Sequence, residues 1–575
     1  MIETAARAPT ERSLIDARVL RICAWSVGLA LVTGFVAQAL VGIIGLVTNI
    51  AFYGRFSTAF VSPAGNHRGW MVLFIPAIGG VIVGLMARYG SKAIRGHGIP
   101  EAMEQVLLNE SRIPARVTIL KPLSAAISIG TGGPFGAEGP IIATGGALGS
   151  LVGQIFTVTA TERKTLLAAG AAAGMAATFG SPVSAVLLAI ELLLFEFRPR
   201  SIIPVALASV TATAVRMLYV GTDPIFAMPL LARQSGEALT AYDVVGAIVG
   251  WLAVYVTRAV YWIEDLFEHL PVHWMWWPAI GGLAVGAVGI IAPRTLGVGY
   301  DNIEGMVAGR IAGEAVVWLC LWKFVSWSIS LGSGTSGGTL APLFTIGGGA
   351  GAALGGLLAT TFPRFGIDPR ICALVGMAAM FAGASRALLA SVVFAFETTL
   401  QPLGLLPLLA GCTAGYLVSA MLMRNTIMTE KLVRRGVRVP VEYEADYLAR
   451  IHVADACTRR VITLSEDQTV GEVHDITATH QGFPIVDAAG RLIGVLTRRD
   501  FMDRSPDTPL RALIRRPPSV VFPDMSLRDA ADHMVREDVG RLPVVDRDDP
   551  TKLFGIITRS DLLKVHARRL EEEHG

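Results

Sequence analysis

Apolar runs follow one another almost without interruption from residue 22 to residue 423 of this 575-residue chain. The clearest runs are at 24–52, 70–86, 165–194, 202–220, 244–262, 279–292 and 403–423. A helix needs about 20 apolar residues to span a bilayer, so the region has room for about a dozen helices or more. Only 17% of the residues are charged, against about 25% in soluble proteins. We therefore predict an α-helical polytopic membrane protein.

Glycine is over-represented in these apolar runs. The chain has 62 glycines, about 11% of its length against the usual ~7%. Disordered glycine-rich segments have low hydrophobicity, which does not fit here. Inside a bilayer, glycine lets helices pack closely, and helices interrupted by glycine or proline occur where they line a cavity. The glycines therefore predict tightly packed and broken helices.

The membrane region contains an internal repeat with a constant offset of 202 residues. Residues 128–140 (SIGTGGPFGAEGP) align with 330–342 (SLGSGTSGGTLAP), and residues 174–179 (GMAATF) align with 376–381 (GMAAMF). The same offset relates four glycines of each half: Gly145, Gly146, Gly149 and Gly153 with Gly347, Gly348, Gly351 and Gly355. Duplicated halves that pack together are common in transporters, with the binding site at the membrane midplane between them. We predict this arrangement here.

Three short motifs place glycine and proline around the predicted start of a helix. They are GHGIP at 96–100, GAEGP at 136–140 and GTLAP at 338–342. Proline suits the first helical turn, and glycine lets the backbone approach a ligand. Each helix N-terminus carries free N–H groups and about half a positive charge. Several such ends meeting would bind an anion weakly enough to release it, which a lysine would not.

Glu138 is the only charged residue in the repeated loops, and its counterpart in the second half is Leu340. A carboxylate among N–H donors would compete with an anion for the same place, and protonation would end that competition. An acidic group at membrane depth indicates function. The alternative interpretation is a glutamate that only stabilises the N-terminus of its own helix.

The composition changes after Arg424, where charged residues become frequent. Strand-like runs appear at 483–486, 492–496, 542–545 and 553–557. A second repeat pairs GFPIVD (482–487) and GVLTRRD (494–500) with GRLPVVD (540–546) and GIITRSD (555–561). Each unit has the pattern strand, turn, strand, helix start. The tail is predicted to be a soluble α/β region, and in motif and spacing it resembles a tandem of CBS modules.

Together these motifs resemble the CLC chloride channels and chloride/proton antiporters of bacterial type with C-terminal tandem CBS domains. The resemblance covers nearly the whole chain. It implies the CLC fold, which is an α-helical membrane protein with an internal inverted repeat, followed by an α/β tandem CBS domain. The expected divisions are an N-terminal segment (1–20), a transmembrane domain (21–436, with halves 21–235 and 236–436), a linker (437–450) and two CBS domains (451–506 and 507–569).

The resemblance also implies roles for individual residues. Glu138 would be the gate of an anion pore in each subunit of a homodimer. The anion-binding positions would be His97, Gly98, Ile99, Ala137, Gly139, Thr339, Leu340, Ala341 and Met428. The family has serine at His97, arginine at Ala137, an Ile-Phe pair at Thr339-Leu340 and tyrosine at Met428. His97 has two interpretations, an anion ligand or a packed structural histidine. Met428 has no hydroxyl to donate, so strict chloride preference is open.

Proton coupling is open as well. The position of the family's inner proton-carrying glutamate aligns with Leu192. Glu191 has a repeat counterpart in Glu397, which favours a structural role, and Glu196 is one turn further on, near an expected helix end. We keep both glutamates as candidates for a proton pathway. A passive channel, a weakly coupled exchanger and a water-relayed exchanger all fit the sequence.

In the CBS pair, the resemblance implies an adenine-nucleotide cleft. Threonine hydroxyls would contact phosphate, aspartates would accept from ribose hydroxyls, and two rings would flank the base. The candidate residues are His480, Phe483, Thr497, Asp500, Thr558 and Asp561. The alternative is that each Thr-x-x-Asp motif only builds the fold, with the aspartate capping a helix. We expect no other cofactor.

The remaining features exclude several other classes. Five scattered cysteines give neither a disulfide framework nor metal-ligand spacing, and the tail lacks the dense basic run of a nucleic-acid-binding protein. No HExxH zinc motif occurs, so we expect a transporter and not an enzyme. A cation transporter with CBS modules would need acidic rings along its path and remains a remote alternative. Arginines 7, 12, 18 and 21 precede the first apolar run without a cleavage site, so we expect an uncleaved chain in the bacterial inner membrane with cytoplasmic termini.

Overall fold

The structure is a computed structural model that describes residue 6, residues 15–440 and residues 447–574. It divides into two compact units, a membrane unit within Leu14–Val441 and a C-terminal unit to which Met1–Ser13 and Glu442–Gly575 are assigned. Most of the expected linker therefore falls at the boundary between these units. Part of it, residues 441–446, lies outside the described residues, as does most of the N-terminal segment.

The regular secondary structure of the membrane unit's described residues consists of helices joined by loops. Its first half contains α1 (Ala17–Thr48), α2 (Ile75–Leu85), α3 (Ile99–Leu108), α4 (Val117–Gly130), α5 (Glu138–Ile155), α6 (Ala160–Phe179), α7 (Pro182–Ala189) and α8 (Pro199–Val220). Its second half contains α9 (Gly236–Glu268), α10 (Trp277–Ile291), α11 (Tyr300–Val307), α12 (Glu314–Gly332), α13 (Leu340–Thr361), α14 (Pro369–Ser385), α15 (Leu388–Thr399), α16 (Leu405–Leu422) and the short α17 (Glu430–Arg434). Eight helical segments of the described chain are long and apolar enough to cross a membrane, which confirms the polytopic prediction.

An approximate two-fold symmetry relates the two halves, as the 202-residue repeat predicts. Gly80 of α2 lies against the carbonyl of Pro278 in α10, and Gly282 of α10 lies against the carbonyl of Pro76 in α2. At the 202-residue offset Gly80 is equivalent to Gly282, and Pro76 is equivalent to Pro278. The second contact is therefore the first one with the two halves interchanged. Reciprocal contacts of this kind require a two-fold relation, so the predicted inverted repeat is confirmed.

Glycine brings helix backbones into direct contact, which confirms the packing prediction. In the first half, a Cβ on Gly149 of α5 would collide with the carbonyl of Leu166 in α6. In the second half, a Cβ on Gly351 of α13 would collide with the carbonyl of Cys372 in α14. Close backbone approach replaces the hydrophobic driving force that lipid does not supply between helices. The glycine-rich pairs α5–α6 and α13–α14 therefore form the dense centre of the unit.

The C-terminal unit is a small α/β body. Its elements are α18 (Tyr447–Arg450), α19 (Val453–Ala456), β1 (Leu464–Ser465), α20 (His474–Thr479), β2 (Gly482–Val486), β3 (Leu492–Thr497), α21 (Arg498–Phe501), α22 (Leu527–Arg536), β4 (Arg541–Val545), β5 (Leu553–Thr558) and α23 (Arg559–His574). The strand pairs β2–β3 and β4–β5 are both antiparallel, and β1 joins the first pair in parallel. The four predicted strands and the helix starts after them are confirmed.

The two strand–turn–strand modules exchange their first segment. Val453 of α19 is buried in the core of the second module with Val521 and Leu542, and the N–H of Val453 donates to the carbonyl of Met525 at 2.8 Å. The chain therefore passes through the second module's core before it builds the first sheet. This exchange ties the two modules into one unit.

Candidate functional site

The three glycine–proline motifs meet in the membrane unit, and each precedes a helix as predicted. The helices α3, α5 and α13 begin at Ile99, Glu138 and Leu340. The loops before α5 and α13 form a two-residue bridge, in which the N–H of Gly338 donates to the carbonyl of Gly136 at 3.0 Å and the reverse bond measures 3.3 Å. These contacts bring three helix N-termini to one place.

Glycine is required at this meeting point. A Cβ on Gly98 would collide with the carbonyl of Gly139, and a Cβ on Gly139 would collide with the carbonyl of His97. Gly98 also has a φ of +98°, which side chains other than glycine rarely adopt. The N–H of Gly96 donates to the carbonyl of Thr335 at 3.0 Å, which attaches the α3 loop to the α13 loop.

Glu138 is fully buried, and its carboxylate lies at the N-terminus of α13. Its Oε1 accepts a hydrogen bond of 2.5 Å from the N–H of Ala341 in the first turn of that helix. Its Oε2 accepts a bond of 3.2 Å from the hydroxyl of Tyr300. The side chain thus reaches from one half of the repeat into the other and places a negative group where free helix N–H groups favour an anion.

Tyr300 is the first residue of α11, and our sequence analysis missed it. Its ring packs edge-on against Phe179 and Phe226, with ring centroids 5.8 and 6.0 Å away, which fixes the hydroxyl beside Glu138. The signal was available: GVGY at 297–300 has the glycine spacing of GHGI at 96–99, at an offset of 201 residues, one less than the 202 of the other repeated segments. Tyr300 therefore marks a fourth helix start at the same site.

Two buried lysines were missed as well. Lys121 donates to the carbonyls of Ile94 and Gly96, both at 2.9 Å. Its partner at the 202-residue offset, Lys323, donates to the carbonyls of Thr295 at 3.1 Å and Gly297 at 2.9 Å. Both side chains are almost fully buried, at 1% and 0% exposed. Each lysine holds the loop that leads into α3 or α11, so these cations orient the site and bring positive charge close to it.

His97 is buried in the loop before α3, and its Nδ1 has no hydrogen-bond partner among the described residues. Buried polar atoms are normally satisfied, so an open Nδ1 beside the meeting helix ends is notable. The N–H of Gly98, by contrast, is not available to an anion. It donates to the side chain of Glu101 at 2.7 Å, which corrects our expectation that residue 98 offers its N–H group to the pore.

The other expected anion-binding residues are all buried in one continuous core, which contains Ile99, Ala137, Leu340, Ala341 and Met428. Thr339, directly before α13, and Gly139, in the first turn of α5, are buried at the same site. Met428 lies in the turn formed by residues 427–429, directly before α17, which begins at Glu430. Lys431 contacts Glu101 at 3.3 Å, which links this last segment to α3.

The two candidate proton glutamates have other partners. The carboxylate of Glu191 accepts from the N–H groups of Leu389 and Ala390 at 3.1 and 3.0 Å. In mirror fashion, Glu397 accepts from Val183 and Ser184 at 2.9 and 2.8 Å. This reciprocal pair holds the helices α7 and α15 together, which is the structural role that the repeat suggested.

Glu196 lies just after the π-helical turn Ile190–Leu194. Its carboxylate accepts from the hydroxyl of Ser201 at 2.6 Å and forms an ion pair of 3.4 Å with Lys164. Leu192, at the position expected for the family's proton carrier, is buried. Both glutamates therefore stay candidates for a proton path, and neither is free of protein partners.

The six candidate nucleotide residues do not form one site. Thr497 and Asp500 line a cavity of about 550 Å³ together with Arg515, Arg516 and Arg541. His480, Phe483, Thr558 and Asp561 do not line it.

Phe483 is 0% exposed and packs against Phe501, so the expectation that it flanks a base is wrong. The hydroxyls of Thr497 and Thr558 donate to Asp500 and Asp561, each at 2.7 Å. Both motifs thus cap helices, as the alternative interpretation held. All five cysteines are unpaired, and the described residues contain no group of three or more His, Cys, Asp or Glu that could hold a metal ion.

The fold and the site define a multi-pass integral membrane protein whose two inverted halves direct helix N-termini at a buried glutamate. A family model described as "Voltage gated chloride channel" matches residues 79–420, and the CBS domain model matches residues 453–507 and 510–568. The chain belongs to the voltage-gated chloride channel (CLC) family and carries two CBS domains.

Individual relatives agree with this assignment. The chain is 27% identical over 354 residues to a putative chloride channel protein ClcB-like from Ralstonia nicotianae, covering 61% of this chain and 82% of the relative. It is 30% identical over 383 residues to the H(+)/Cl(-) exchange transporter ClcA from Salmonella arizonae, covering 64% and 80%. The crystal structure of a slow cyanobacterial Cl-/H+ antiporter superposes with a TM-score of 0.66 at 22% identity, covering 73% of this chain and 98% of that one.

Proposed function

We propose that the protein transports chloride or a similar small anion across a membrane, along a path that the N-termini of α3, α5 and α13 form. The observation that carries this proposal is the bond between the Glu138 carboxylate and the N–H of Ala341. A carboxylate is itself an anion, and here it occupies the kind of place where a helix end binds anions.

Glu138 would act as the gate because it and the transported ion compete for one site. While the carboxylate is ionised, it holds the Ala341 N–H group and repels a second anion. A protonated carboxyl loses the charge-assisted part of that bond and leaves the helix end free. Transport is therefore expected to rise as Glu138 takes up a proton.

We assign the anion contacts of the path to His97 and to the N–H groups around α5 and α13. The open Nδ1 of His97 supports this assignment, because a donated hydrogen bond to the ion would satisfy it. Met428 offers no hydroxyl. Anion selectivity near His97 is then set by its ring and by backbone N–H groups. Replacing His97 by serine is expected to change the ratio of chloride to nitrate flux.

The second candidate function is proton-coupled exchange of chloride, and two observations favour it. Glu138 is a titratable group whose carboxylate lies at the helix end that would bind the anion. In addition, relatives at 30% identity are H(+)/Cl(-) exchange transporters by name. An exchanger needs a second proton station, for which Glu191 and Glu196 are the candidates in this chain.

Liposome flux measurements distinguish these functions. The purified protein is reconstituted, and chloride efflux and proton movement are recorded together under a chloride gradient. Chloride efflux without proton movement supports a passive path, and proton uptake against its own gradient supports exchange. The absence of chloride, bromide and nitrate flux, in the wild type and in Glu138→Ala alike, would contradict anion transport.

For the C-terminal unit we propose a regulatory anion site, with an adenine nucleotide as its ligand, in the cavity that Thr497 and Asp500 line. Three arginines, Arg515, Arg516 and Arg541, line the same cavity and match the charge of a polyphosphate. Calorimetry with ATP on the full chain tests this site. Arg541→Gln should weaken binding and Arg460→Gln, an exposed control outside the cavity, should not. Equal affinities in both variants would contradict the site.

We further propose a homodimer in the bacterial inner membrane with both termini in the cytoplasm, and a transporter without enzymatic activity, on the strength of the family assignment. Native mass spectrometry from lipid nanodiscs measures the subunit number. Labelling of Ala488→Cys, in an exposed turn of the C-terminal unit, by a membrane-impermeant thiol reagent reports the side: intact cells should protect the cysteine, and opened cells should expose it.

A further inference from the structure

A cavity of about 510 Å³ borders the gate in the membrane unit. Its wall includes Ala137, which precedes the gating glutamate, and Tyr300, whose hydroxyl contacts Glu138. An ion in this cavity is therefore separated from Glu138 only by residues that contact or adjoin the glutamate. The space is many times the volume of one water molecule, about 30 Å³, so an ion can enter it with much of its hydration shell.

Arg216 of α8 lines this cavity and is only 5% exposed. Its guanidinium makes two long hydrogen bonds to neutral acceptors, from Nε to the carbonyl of Thr178 and from Nη1 to the carbonyl of Gly221, both at 3.4 Å. No carboxylate of the described residues forms an ion pair with it. A buried charge without a counter-charge is costly.

The acidic residues of the cavity wall, Asp301 and Glu304, form no ion pair with Arg216 in the described part of the chain. Glu304 is instead paired with Arg310 at 2.8 Å. Arg216 therefore lines the cavity without a carboxylate partner among the described residues.

We propose that Arg216 and the cavity around it form an anion-capture site, which binds a small monovalent anion before it passes Glu138. This inference rests on the proposed transport function and adds to it a binding station outside the helix N-termini. Arginine presents several N–H donors and is weakly hydrated, so it binds anions without needing full dehydration. A charged cleft with low-dielectric walls concentrates ions of opposite charge.

Anomalous diffraction from bromide-soaked crystals of the full-length protein tests the site directly. In the wild type and in Arg216→Lys, a bromide peak is expected in the cavity within hydrogen-bond distance of the cationic side chain. In Arg216→Gln this peak should vanish. A wild-type cavity without bromide, or a peak that survives in Arg216→Gln, would overturn the inference. A separate bromide peak at the N–H of Ala341 in Glu138→Gln crystals, where the charged carboxylate no longer holds that group, reports on the proposed pore, so the two proposals fail independently.

Gln38→Glu provides a second variant if Arg216→Gln does not fold. Gln38 lines the same cavity and donates to the carbonyl of Ala177 at 3.2 Å, beside the Arg216 contact at Thr178. A carboxylate introduced there would pair with the guanidinium, and the bromide peak should be lost although Arg216 is present. A bromide peak retained in Gln38→Glu would contradict the proposal that the positive charge of Arg216 captures the anion.

Flux kinetics separate capture from a structural role. Loss of a capture site should raise the half-saturating chloride concentration several-fold, up to about tenfold, and leave the maximal rate nearly unchanged. Arg216→Lys should restore the wild-type value. The control Arg112→Gln removes an exposed cation paired with Glu110 and should have no effect. A lower maximal rate at an unchanged half-saturation point in Arg216→Gln would assign Arg216 a packing role only.

Discussion

Replacing Glu138 by glutamine probes the competition between the gate and the ion. The substitution keeps the shape of the side chain and removes its charge. The 2.5 Å bond from the Ala341 N–H becomes neutral. The 3.2 Å contact with Tyr300 also becomes neutral and reverses, with the amide N–H donating to the phenol oxygen, because glutamine has a single acceptor oxygen. A hydrogen bond to a charged group is worth about 1 kcal/mol more than a neutral one, so the side chain holds the helix end about 2 kcal/mol less tightly.

The weaker hold of the glutamine on the helix end should appear as tighter anion binding at that helix end. Because 1.4 kcal/mol is a factor of ten in an equilibrium constant, about 2 kcal/mol predicts bromide binding roughly 30-fold tighter in Glu138→Gln than in the wild type at neutral pH. Titration calorimetry in detergent measures the affinity, and liposome efflux measures the rate. Efflux in the variant should also lose the rise with acidification that the wild type shows.

A matched control isolates the role of position. Glu314 likewise lies in the first turn of a helix, α12, but it is exposed and contacts Trp318. Glu314→Gln should leave bromide affinity and pH dependence unchanged. The reasoning is refuted if Glu138→Gln binds bromide no better than the wild type, or if its efflux keeps the wild-type dependence on pH.

Three further substitutions test the surroundings of the gate. Tyr300→Phe removes one donor to Glu138, a bond worth about 1 kcal/mol, and should raise the anion affinity measured by calorimetry about fivefold. An unchanged affinity would show that the tyrosine does not hold the gate. Gly139→Ala should abolish flux or folding because a Cβ has no room there. The control Gly28→Ala lies in open space on α1 and should retain wild-type flux. Equal flux in the two variants would contradict the close backbone approach at Gly139. Lys323→Met leaves the buried carbonyls of Thr295 and Gly297 without their donor. At about 1–3 kcal/mol for each unsatisfied group, the melting temperature should fall by several degrees. A melting temperature equal to that of the wild type would show that Lys323 does not hold the loop before α11.

The sequence predicted those features that local chemistry determines. Proline in the first turn correctly predicts that α5 and α13 start inside their motifs. The constant offset predicted the two-fold packing. Short apolar runs in a repeated motif predicted four strands of the C-terminal unit. Each of these features depends on neighbours along the chain or on the comparison of one half with the other.

The features that sequence analysis missed depend on contacts through space. Nothing adjacent to Tyr300 shows that its hydroxyl meets Glu138, which is 162 residues away. Lys121 and Lys323 lie within apolar helices, and only the folded chain shows that they bind loop carbonyls. Phe483 follows a glycine as a base-flanking ring would, but it is part of a core that several elements build together.

The central claim is that Glu138 and the transported anion occupy the same place at the N-terminus of α13. The most direct measurement is the position of bromide in anomalous diffraction from Glu138→Gln crystals. The account predicts a peak within hydrogen-bond distance of the Ala341 N–H group, where the wild-type carboxylate lies. A variant whose side chain has left that position while no bromide peak appears near Ala341 would contradict the account.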